Sequence, residues 1–266
     1  MKLSTIFIIF LFFIFFGIGI NSWPEGSDGN HKVVNFGQAK KLALEIHRQH
    51  QETIYCPCKY SGKTIDLKSC NYKIHKDAKR AARLEWEHVV AAESFGRSFP
   101  EWREGGANCV KKNGKRFKGR KCAQTNPDFS RMEADLYNIW PIDGELNGLR
   151  SNYSMAAISG EALSFGGCTA KIADRKFEPM DEFKGIVARD HMYFDLNYPG
   201  RGVISDKNKK LFEAWDKQYP VTAWECERAA RIKAIQGNTN QILELRCGEK
   251  GSEKNATKLK TRRDLN

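Results

Sequence analysis

Apolar residues recur at three- and four-residue spacing in several parts of the chain, which is the pattern of amphipathic helices. Ala39, Ala43 and Ile46 form one such face near the N-terminus. Asn35 precedes them and is a residue type that caps helix N-termini. The pattern therefore predicts a helix from Asn35 to about His50.

The C-terminal third carries the clearest helix signals. A helix that contains Trp215 is expected to stop at Pro220. Thr222 and Glu225 have capping-box spacing, so a second helix should begin there and end at Gly237. Shorter helices are predicted after Asp77, over Ser130 to Tyr137 with Trp140-Pro141 ending it, from Asp143 through Arg150, and after Pro179.

Extended structure is predicted for other segments. Val89 and Val90 follow the run Leu84–His88 and favour a strand, because β-branched side chains suit extended backbone. Strand and turn are predicted for residues 163–178, a stapled loop region with a short hairpin for 53–72, and one long loop for 97–130. The expected fold class is mixed α+β, in a mostly helical single domain.

The N-terminal segment is apolar without any period. Ile6 to Ile20 contains no charge and follows the basic Lys2, which is the plan of a secretory signal peptide cleaved near Gly19 to Ser22. An uncleaved anchor is the alternative, but the run is short against a span of about 20 apolar residues. We predict a periplasmic or extracellular protein with no stable membrane association after cleavage. The expected divisions are a signal peptide over 1–22, a flexible segment over 23–34, a folded domain over 35–247 and a disordered basic tail over 248–266.

All eight cysteines lie beyond the leader. An even number of cysteines in an exported chain indicates disulfide bonds, and no His/Cys cluster has the spacing of zinc ligands. Many pairings are possible, and we expect only that Cys109 pairs with Cys122, because these two bracket one loop. The expected disulfide residues are Cys56, Cys58, Cys70, Cys109, Cys122, Cys168, Cys226 and Cys247.

The formal charge of +12 and the pI near 9.3 point to a polyanionic partner, such as nucleic acid or anionic lipid. The loop between Cys109 and Cys122 is strongly basic and contains no acid. It is interpreted either as a solvated basic surface or as an arm that contacts phosphates. The candidate nucleic-acid-binding residues in it are Lys111, Lys112, Lys115, Arg116, Lys118 and Lys121.

Phosphodiester hydrolysis needs an activated water, a cation near the phosphate oxygens and a donor for the developing charge. His88 is the candidate base, although a histidine before two valines can equally be a structural strand residue. Glu87 and Asn147 supply the oxygen atoms that Mg²⁺ prefers, with a backbone-bonded helix-end residue as the alternative for Asn147. Because adjacent strand residues point to opposite faces, Glu87 and His88 can share a site only at a strand end or bend.

Four motifs follow one another along the chain, and they are Glu85–Val90, Met132–Asn138, Gly144–Tyr153 and Glu213–Glu227. Together they resemble the bacterial endonuclease I family of periplasmic or secreted nucleases, over about residues 35 to 247. The resemblance implies a mixed α/β fold with a ββα-metal (His-Me finger) active site, little sequence preference on DNA, and often activity on RNA.

The resemblance also assigns roles to individual residues. His88 matches the family's general base, and Glu87 with Asn147 matches the ligands of a single Mg²⁺, which Mn²⁺ or Ca²⁺ can replace in binding. Glu133 matches an acid that positions a metal-bound water near the leaving oxygen. These roles predict cleavage that leaves a 5′-phosphate, by a protein that we expect to be a monomer.

The family's phosphate-binding arginine precedes a cysteine, and the run Gly119-Arg120-Lys121-Cys122 matches that context best. Arg120 is therefore the expected third catalytic residue, and Arg97, Arg103 and Arg116 remain open because of a longer basic insertion before this point. A non-catalytic basic DNA-binding protein of the extracellular space is the main alternative function. A glycosidase using Glu85 and Glu87 is disfavoured, because carboxylates two residues apart lie closer than the roughly 5 Å that such a pair requires.

Overall fold

The computed structural model describes residues 29–249, so the predicted signal peptide and nearly all of the predicted tail lie outside the described residues. The helices are α1 (Phe36–Ile46), α2 (Ala78–Ala81), α3 (Ala92–Gly96), α4 (Pro100–Arg103), α5 (Arg120–Ala123), α6 (Pro127–Glu133), α7 (Gly144–Arg150), α8 (Asp181–Asn197), α9 (Asp206–Gln218) and α10 (Ala223–Gln236). The strands are β1 (Lys59–Ser61), β2 (Thr64–Asp66), β3 (Leu84–His88), β4 (Ile139–Asp143), β5 (Ser154–Met155), β6 (Leu163–Phe165), β7 (Cys168–Ala173) and β8 (Lys176–Glu178). A further helical run starts at Gln241 and continues to the last described residue.

The antiparallel pair β3 and β4 lies at the centre of the fold. Its register places Leu84 opposite Asp143 and His88 opposite Ile139. Helix α7 follows β4 without a loop, and the Asp143 side chain caps it by accepting a hydrogen bond from the Leu146 N–H. Two strands and a helix are thereby joined as one unit.

This pair separates two hydrophobic cores. Trp140 and Ile142 belong to one core and Ile139 to the other, because successive strand residues face opposite sides. The first core also contains the β1–β2 hairpin, a four-stranded sheet of order β5-β8-β7-β6, and residues of α8 and α9. The second contains residues of α1, α3, α6 and α10. Both faces of β4 are therefore buried.

Four disulfides link segments of the chain that are not paired by strands. The predicted Cys109–Cys122 bond is confirmed and closes the basic loop. Cys58–Cys70 closes the hairpin region, and Cys56–Cys168 ties that region to β7. Cys226–Cys247 links α10 to the last helical run. The predicted stapled region is thus held on two sides.

Several local predictions are confirmed. Asn35 caps α1 by accepting a hydrogen bond from the Gln38 N–H, although the helix ends at Ile46 rather than near His50. The capping box at the start of α10 is present, and Gly237 ends that helix with a φ of 88°. These signals are read correctly because the bonds that they describe lie within a few residues of each other.

Three predictions about backbone conformation are wrong. Residues 97–130 are not one loop, because α4, α5 and α6 interrupt them. Val89 and Val90 follow the strand instead of extending it, and each joins a different core. Trp140-Pro141 lies inside β4. The Pro141 carbonyl accepts from Ile54 on the edge away from β3, and Pro141 is tolerated because its missing N–H would face that same edge and not the ladder.

A buried ion network holds the C-terminal helices together. Arg189 in α8 is 1% exposed and donates to Glu225 at 2.7 Å through two nitrogen atoms. It also donates to Asp216 in α9 at 3.0 Å and to the Tyr219 carbonyl. Removal of one member leaves buried charges without partners, which costs more than the loss of an exposed pair.

We expect Arg189→Met to lower the free energy of unfolding by about 3 to 5 kcal/mol, because Glu225 then remains buried without its cation. The change is measurable by urea denaturation followed by circular dichroism. Arg48→Ala is the matched control, since Arg48 pairs with Glu45 on the exposed surface of α1. Equal stability of the two variants would contradict the assigned role of the network.

Buried histidines should make stability depend on pH. Burial lowers the pKa of His191 to about 4, against about 6.5 for a free histidine. Between these values the unfolded chain binds a proton that the folded chain does not, so stability is complete above about pH 6.5 and falls toward pH 4.

In His191→Phe, which keeps a ring against Phe212, the fall of the unfolding free energy with acidification should become shallower by about 1.4 kcal/mol per pH unit. Urea denaturation at a series of pH values between 4 and 7 measures this slope. An unchanged slope in the variant would refute the assignment, whatever its stability at neutral pH.

Candidate active site

One cleft of about 270 Å³ collects four of the residues singled out in the sequence, His88, Glu87, Asn147 and Arg120. The cleft lies where β3 ends beside α7. Its other lining residues are Trp86, Ala91, Ala92, Glu93, Trp102, Arg150, Ser151 and Asn152. A neighbouring groove of about 380 Å³ shares Glu93 and Asn152 with it, so the concave surface continues beyond the cleft.

The end of β3 explains why two adjacent residues reach the same cleft. Glu87 and His88 are the last two residues of the strand, and the chain bends at Val89 and Val90. The strict alternation of side chains stops where the strand stops. Asn147 arrives from the other side because β4 pairs with β3 and leads directly into α7.

The His88 ring is buried and held in one tautomer. Its Nε2 atom lies 2.7 Å from the backbone carbonyl oxygen of Glu133, which can only accept a hydrogen bond. Nε2 therefore carries the proton, and Nδ1 is the acceptor. Burial lowers the pKa of His88 to about 3, with the charge of Arg120 as the next cause and that of Lys40 among the others. The ring is neutral at physiological pH.

Glu87 and Asn147 present two oxygen donors to the cleft. Glu87 is 3% exposed, and its Oε1 makes no hydrogen bond within residues 29–249, although Arg150 Nη1 lies 3.0 Å away as an ion pair. Burial raises the pKa of Glu87, and Arg150 opposes that shift. The Asn147 amide nitrogen donates to Glu85 at 2.9 Å, so Oδ1 is the Asn147 side-chain atom that can bind a cation.

These donors fit a hard divalent cation that keeps much of its water. Mg²⁺ is bound in proteins by one or two carboxylates together with several waters, and it needs no larger protein cage. The described part of the chain holds no cluster of three or more His, Cys, Asp or Glu side chains able to bind a metal. A buried carboxylate oxygen without a hydrogen bond and an amide oxygen in the same cleft are the donor set available here.

Arg120 and Glu133 form a second ion pair beside His88. Arg120 opens α5, and its Nε lies 2.5 Å from Oε1 of the buried Glu133. Gln124 donates to Oε2 of the same carboxylate at 2.8 Å. Glu133 is therefore a buried carboxylate and not a solvated residue on the helix surface. Its side chain holds Arg120, while its backbone holds His88.

The other arginines that the sequence left open lie outside the cleft. Arg97 pairs with Glu93 along α3, and Arg103 donates to the Arg97 carbonyl at 2.7 Å. Arg116 lies on the basic loop, where its backbone forms an antiparallel β-bridge with that of Val110. Of these arginines, only Arg120 lines the cleft with His88.

The basic loop forms a small hairpin and leads into α5, the helix that Arg120 opens. Lys111 N–H donates to the Lys115 carbonyl at 2.9 Å, and Gly114 takes a φ of 78° at the turn between them. The side chains point to solvent and form no ion pair within the described residues. The exposed cations are Lys111, Lys112, Lys115, Arg116, Lys118 and Lys121.

Sequence reasoning missed Arg150. It is 2% exposed, pairs with Glu87, and donates to the backbone carbonyls of His88 at 3.1 Å and Val89 at 2.7 Å. It lies three residues after Asn147 on α7, so both side chains face the same side of the helix. This spacing was the one sequence feature that could have indicated Arg150. It could not be interpreted without knowing that the end of β3 lies against this face of α7.

Within residues 29–249, no helix combines the length and the apolar character of a membrane span. The family model described as endonuclease I matches residues 30–244. The chain is 40% identical over 220 residues to an extracellular deoxyribonuclease of Aeromonas hydrophila, covering 80% of this chain and 90% of that protein.

Two further relatives agree with this match. A periplasmic deoxyribonuclease of Aeromonas hydrophila is 38% identical over 219 residues, covering 80% of this chain and 86% of that protein. Endonuclease-1 of Buchnera aphidicola subsp. Baizongia pistaciae is 38% identical over 253 residues, covering 91% of this chain and 97% of that protein. The family match spans most of the sequence and includes every residue of the cleft, and the chain belongs to the endonuclease I family.

Proposed function

We propose that this protein is a secreted or periplasmic, Mg²⁺-dependent endonuclease that hydrolyses the phosphodiester bonds of DNA, and of RNA, with little sequence preference. One observation carries the proposal. A neutral imidazole, two oxygen donors and an arginine line the same cleft, although their positions span sixty residues of the chain. The unit formed by β3, β4 and α7 would serve as a ββα-metal site.

His88 acts as the general base. Its Nδ1 accepts a proton from a water molecule, whose oxygen attacks phosphorus opposite the 3′ oxygen. A bond forms between that oxygen and phosphorus, the bond from phosphorus to O3′ breaks, and O3′ takes a proton from solvent. The products are a 5′-phosphate and a 3′-hydroxyl. Before the transfer, the Glu133 carbonyl holds the ring in the tautomer whose Nδ1 can accept this proton.

Glu87 and Asn147 would hold the Mg²⁺ through a carboxylate oxygen and Oδ1. When bound there, the ion supplies positive charge for the charge that develops on the phosphate and on the leaving oxygen. Arg150 keeps the Glu87 carboxylate in place through their ion pair at 3.0 Å. Asn147 keeps its oxygen directed away from Glu85, to which its nitrogen is bonded.

Arg120 would donate to a non-bridging oxygen of the attacked phosphate. Its side chain is 42% exposed, so the guanidinium is reachable while Glu133 fixes one edge of it. In this geometry the Glu133 carboxylate orients Arg120 and does not itself face the cleft. Positioning of a metal-bound water, the role that the family resemblance implies for Glu133, remains a prediction.

Weak sequence preference follows from the kind of contacts available. The exposed lysines of the basic loop would bind the phosphate backbone, which is the same for every sequence. The groove that continues from the cleft gives a polymer room beyond the attacked bond. Export through the predicted signal peptide and action as a monomer complete the proposal.

The test of catalysis is His88→Ala, which should lower the rate of DNA cleavage about 10²- to 10⁴-fold, because the general base is lost. Plasmid nicking and oligonucleotide hydrolysis measure the rate, with circular dichroism to verify the fold. His31→Ala is the control, since that exposed side chain does not line the cleft. Wild-type activity in folded His88→Ala would refute the assignment.

The test of the metal site uses Glu87→Gln and Asn147→Ala. Each should weaken divalent-cation binding at least about tenfold, because it removes or weakens one of two protein ligands. Calorimetric titration with Mn²⁺ measures binding, and the Mg²⁺ concentration for half-maximal cleavage gives a second readout. Wild-type protein in excess EDTA should bind DNA without cutting it. Cutting in EDTA would contradict the metal dependence, and a failure to cut even with Mg²⁺ would favour a non-catalytic DNA-binding protein.

A further inference from the structure

The aromatic ring of Phe36 connects the catalytic histidine with two cations. Phe36 is the first residue of α1, and its ring centroid lies 4.5 Å from that of His88. Lys40 Nζ lies 4.9 Å from the Phe36 centroid, and Arg120 Cζ lies 5.3 Å from it. The two charges are therefore no farther apart than the sum of these distances, and the ring that contacts both of them also contacts His88.

Lys40 differs from Arg120 in having no acid that neutralises it. Arg120 is paired with Glu133, whereas no carboxylate within residues 29–249 pairs with Lys40, which is exposed on α1. The position of Lys40 is set by helix geometry, because residues four apart lie on the same face and Lys40 follows Phe36 by one turn. Its charge is therefore available and is held at a defined place.

A nucleic-acid strand presents a row of phosphates at near-constant spacing. If Arg120 holds the attacked phosphate, the next phosphate of the same strand lies one nucleotide away, and Lys40 contacts the same Phe36 ring as Arg120. An ammonium group suits that phosphate, because it is a compact charge with three donors and imposes no planar geometry.

We propose that Lys40, held in place by Phe36, binds the phosphate adjacent to the attacked one on the same strand. This inference rests on the proposed nuclease function. It assigns a substrate contact to α1, an element that lies outside the basic loop and outside the motifs carrying the catalytic residues. The contact would increase the affinity for a nucleic-acid strand of any sequence. It would not increase the affinity for a substrate that has a single phosphate.

The experiment compares Lys40→Ala and Lys40→Arg with Lys41→Ala. Lys41 is exposed on the same helix but is turned by about 100° from Lys40, so it is the matched control. On a short single-stranded oligonucleotide with Mg²⁺, Lys40→Ala should raise KM about tenfold with little change in kcat, the effect of losing one charge-assisted hydrogen bond. Lys40→Arg should have a KM close to that of the wild type, because it keeps the charge. Lys41→Ala should behave as the wild type.

A second substrate separates the neighbouring phosphate from the attacked one. A dinucleoside monophosphate has one phosphate only, so Lys40→Ala should hydrolyse it at the wild-type rate. The slope of log KM against log salt on the oligonucleotide should also fall by about 0.7, the contribution of one phosphate contact on a single strand. Equal losses on both substrates, or equal behaviour of the Lys40→Ala and Lys41→Ala variants, would overturn the proposal.

Binding measured without catalysis keeps the inference separate from the proposed function. Fluorescence anisotropy of a labelled oligonucleotide in EDTA should show about tenfold weaker binding for Lys40→Ala than for Lys41→Ala. If the wild type does not cut with Mg²⁺ but this difference appears, the nuclease proposal fails and the phosphate contact stands. If the wild type cuts and no difference appears, the contact alone is refuted.

Discussion

The pairing of β3 with β4 is the constraint on which the site depends. It sets His88 opposite Ile139 and so brings the end of one strand beside the helix that follows the other. Arg150 fastens the same junction from the helix side, through Glu87 and the carbonyls of His88 and Val89. The two halves of the cleft are thus positioned by backbone pairing and a buried ion pair, which suits a site that must hold its geometry closely.

The charges around His88 are arranged in two pairs. Glu87 pairs with Arg150 and Glu133 pairs with Arg120, and His88 is hydrogen-bonded to a member of each pair, through the Glu133 carbonyl and Arg150. Buried charges are costly unless they are paired, so each carboxylate is tolerated because of its arginine. The arginines also act on the ring, since their positive charge adds to burial in lowering the pKa of His88. A neutral imidazole and two ion pairs thus lie close together.

The disulfides connect this centre to the charged surface. Cys122 lies two residues after Arg120, and its bond to Cys109 ties the basic loop to the helix that presents Arg120. A closed loop of this length constrains the unfolded chain and keeps the loop near the cleft. The positive charges of the loop repel one another, and the disulfide keeps its two ends together against this repulsion. Local charge and covalent structure therefore support the same face of the molecule.

The sequence by itself determined the short-range features of this protein. The caps at Asn35, Asp143 and Thr222 were readable because a capping bond joins residues three positions apart. The family and its motif residues were also readable, since the motifs are contiguous runs. The same local view failed at Pro141, whose place in β4 depends on an edge contact with Ile54 rather than on its neighbours.

Only the tertiary structure decided which of these residues meet. Of four arginines it brought only Arg120 into the cleft with His88, it turned Glu133 toward Arg120, and it revealed Arg150 paired with Glu87 and Lys40 beside Phe36. Three of the four disulfide pairings were likewise beyond the reach of the sequence. The physical reason is that periodicity and capping describe interactions within one turn or strand, whereas the cleft is made by contacts between segments brought together by strand pairing and core packing.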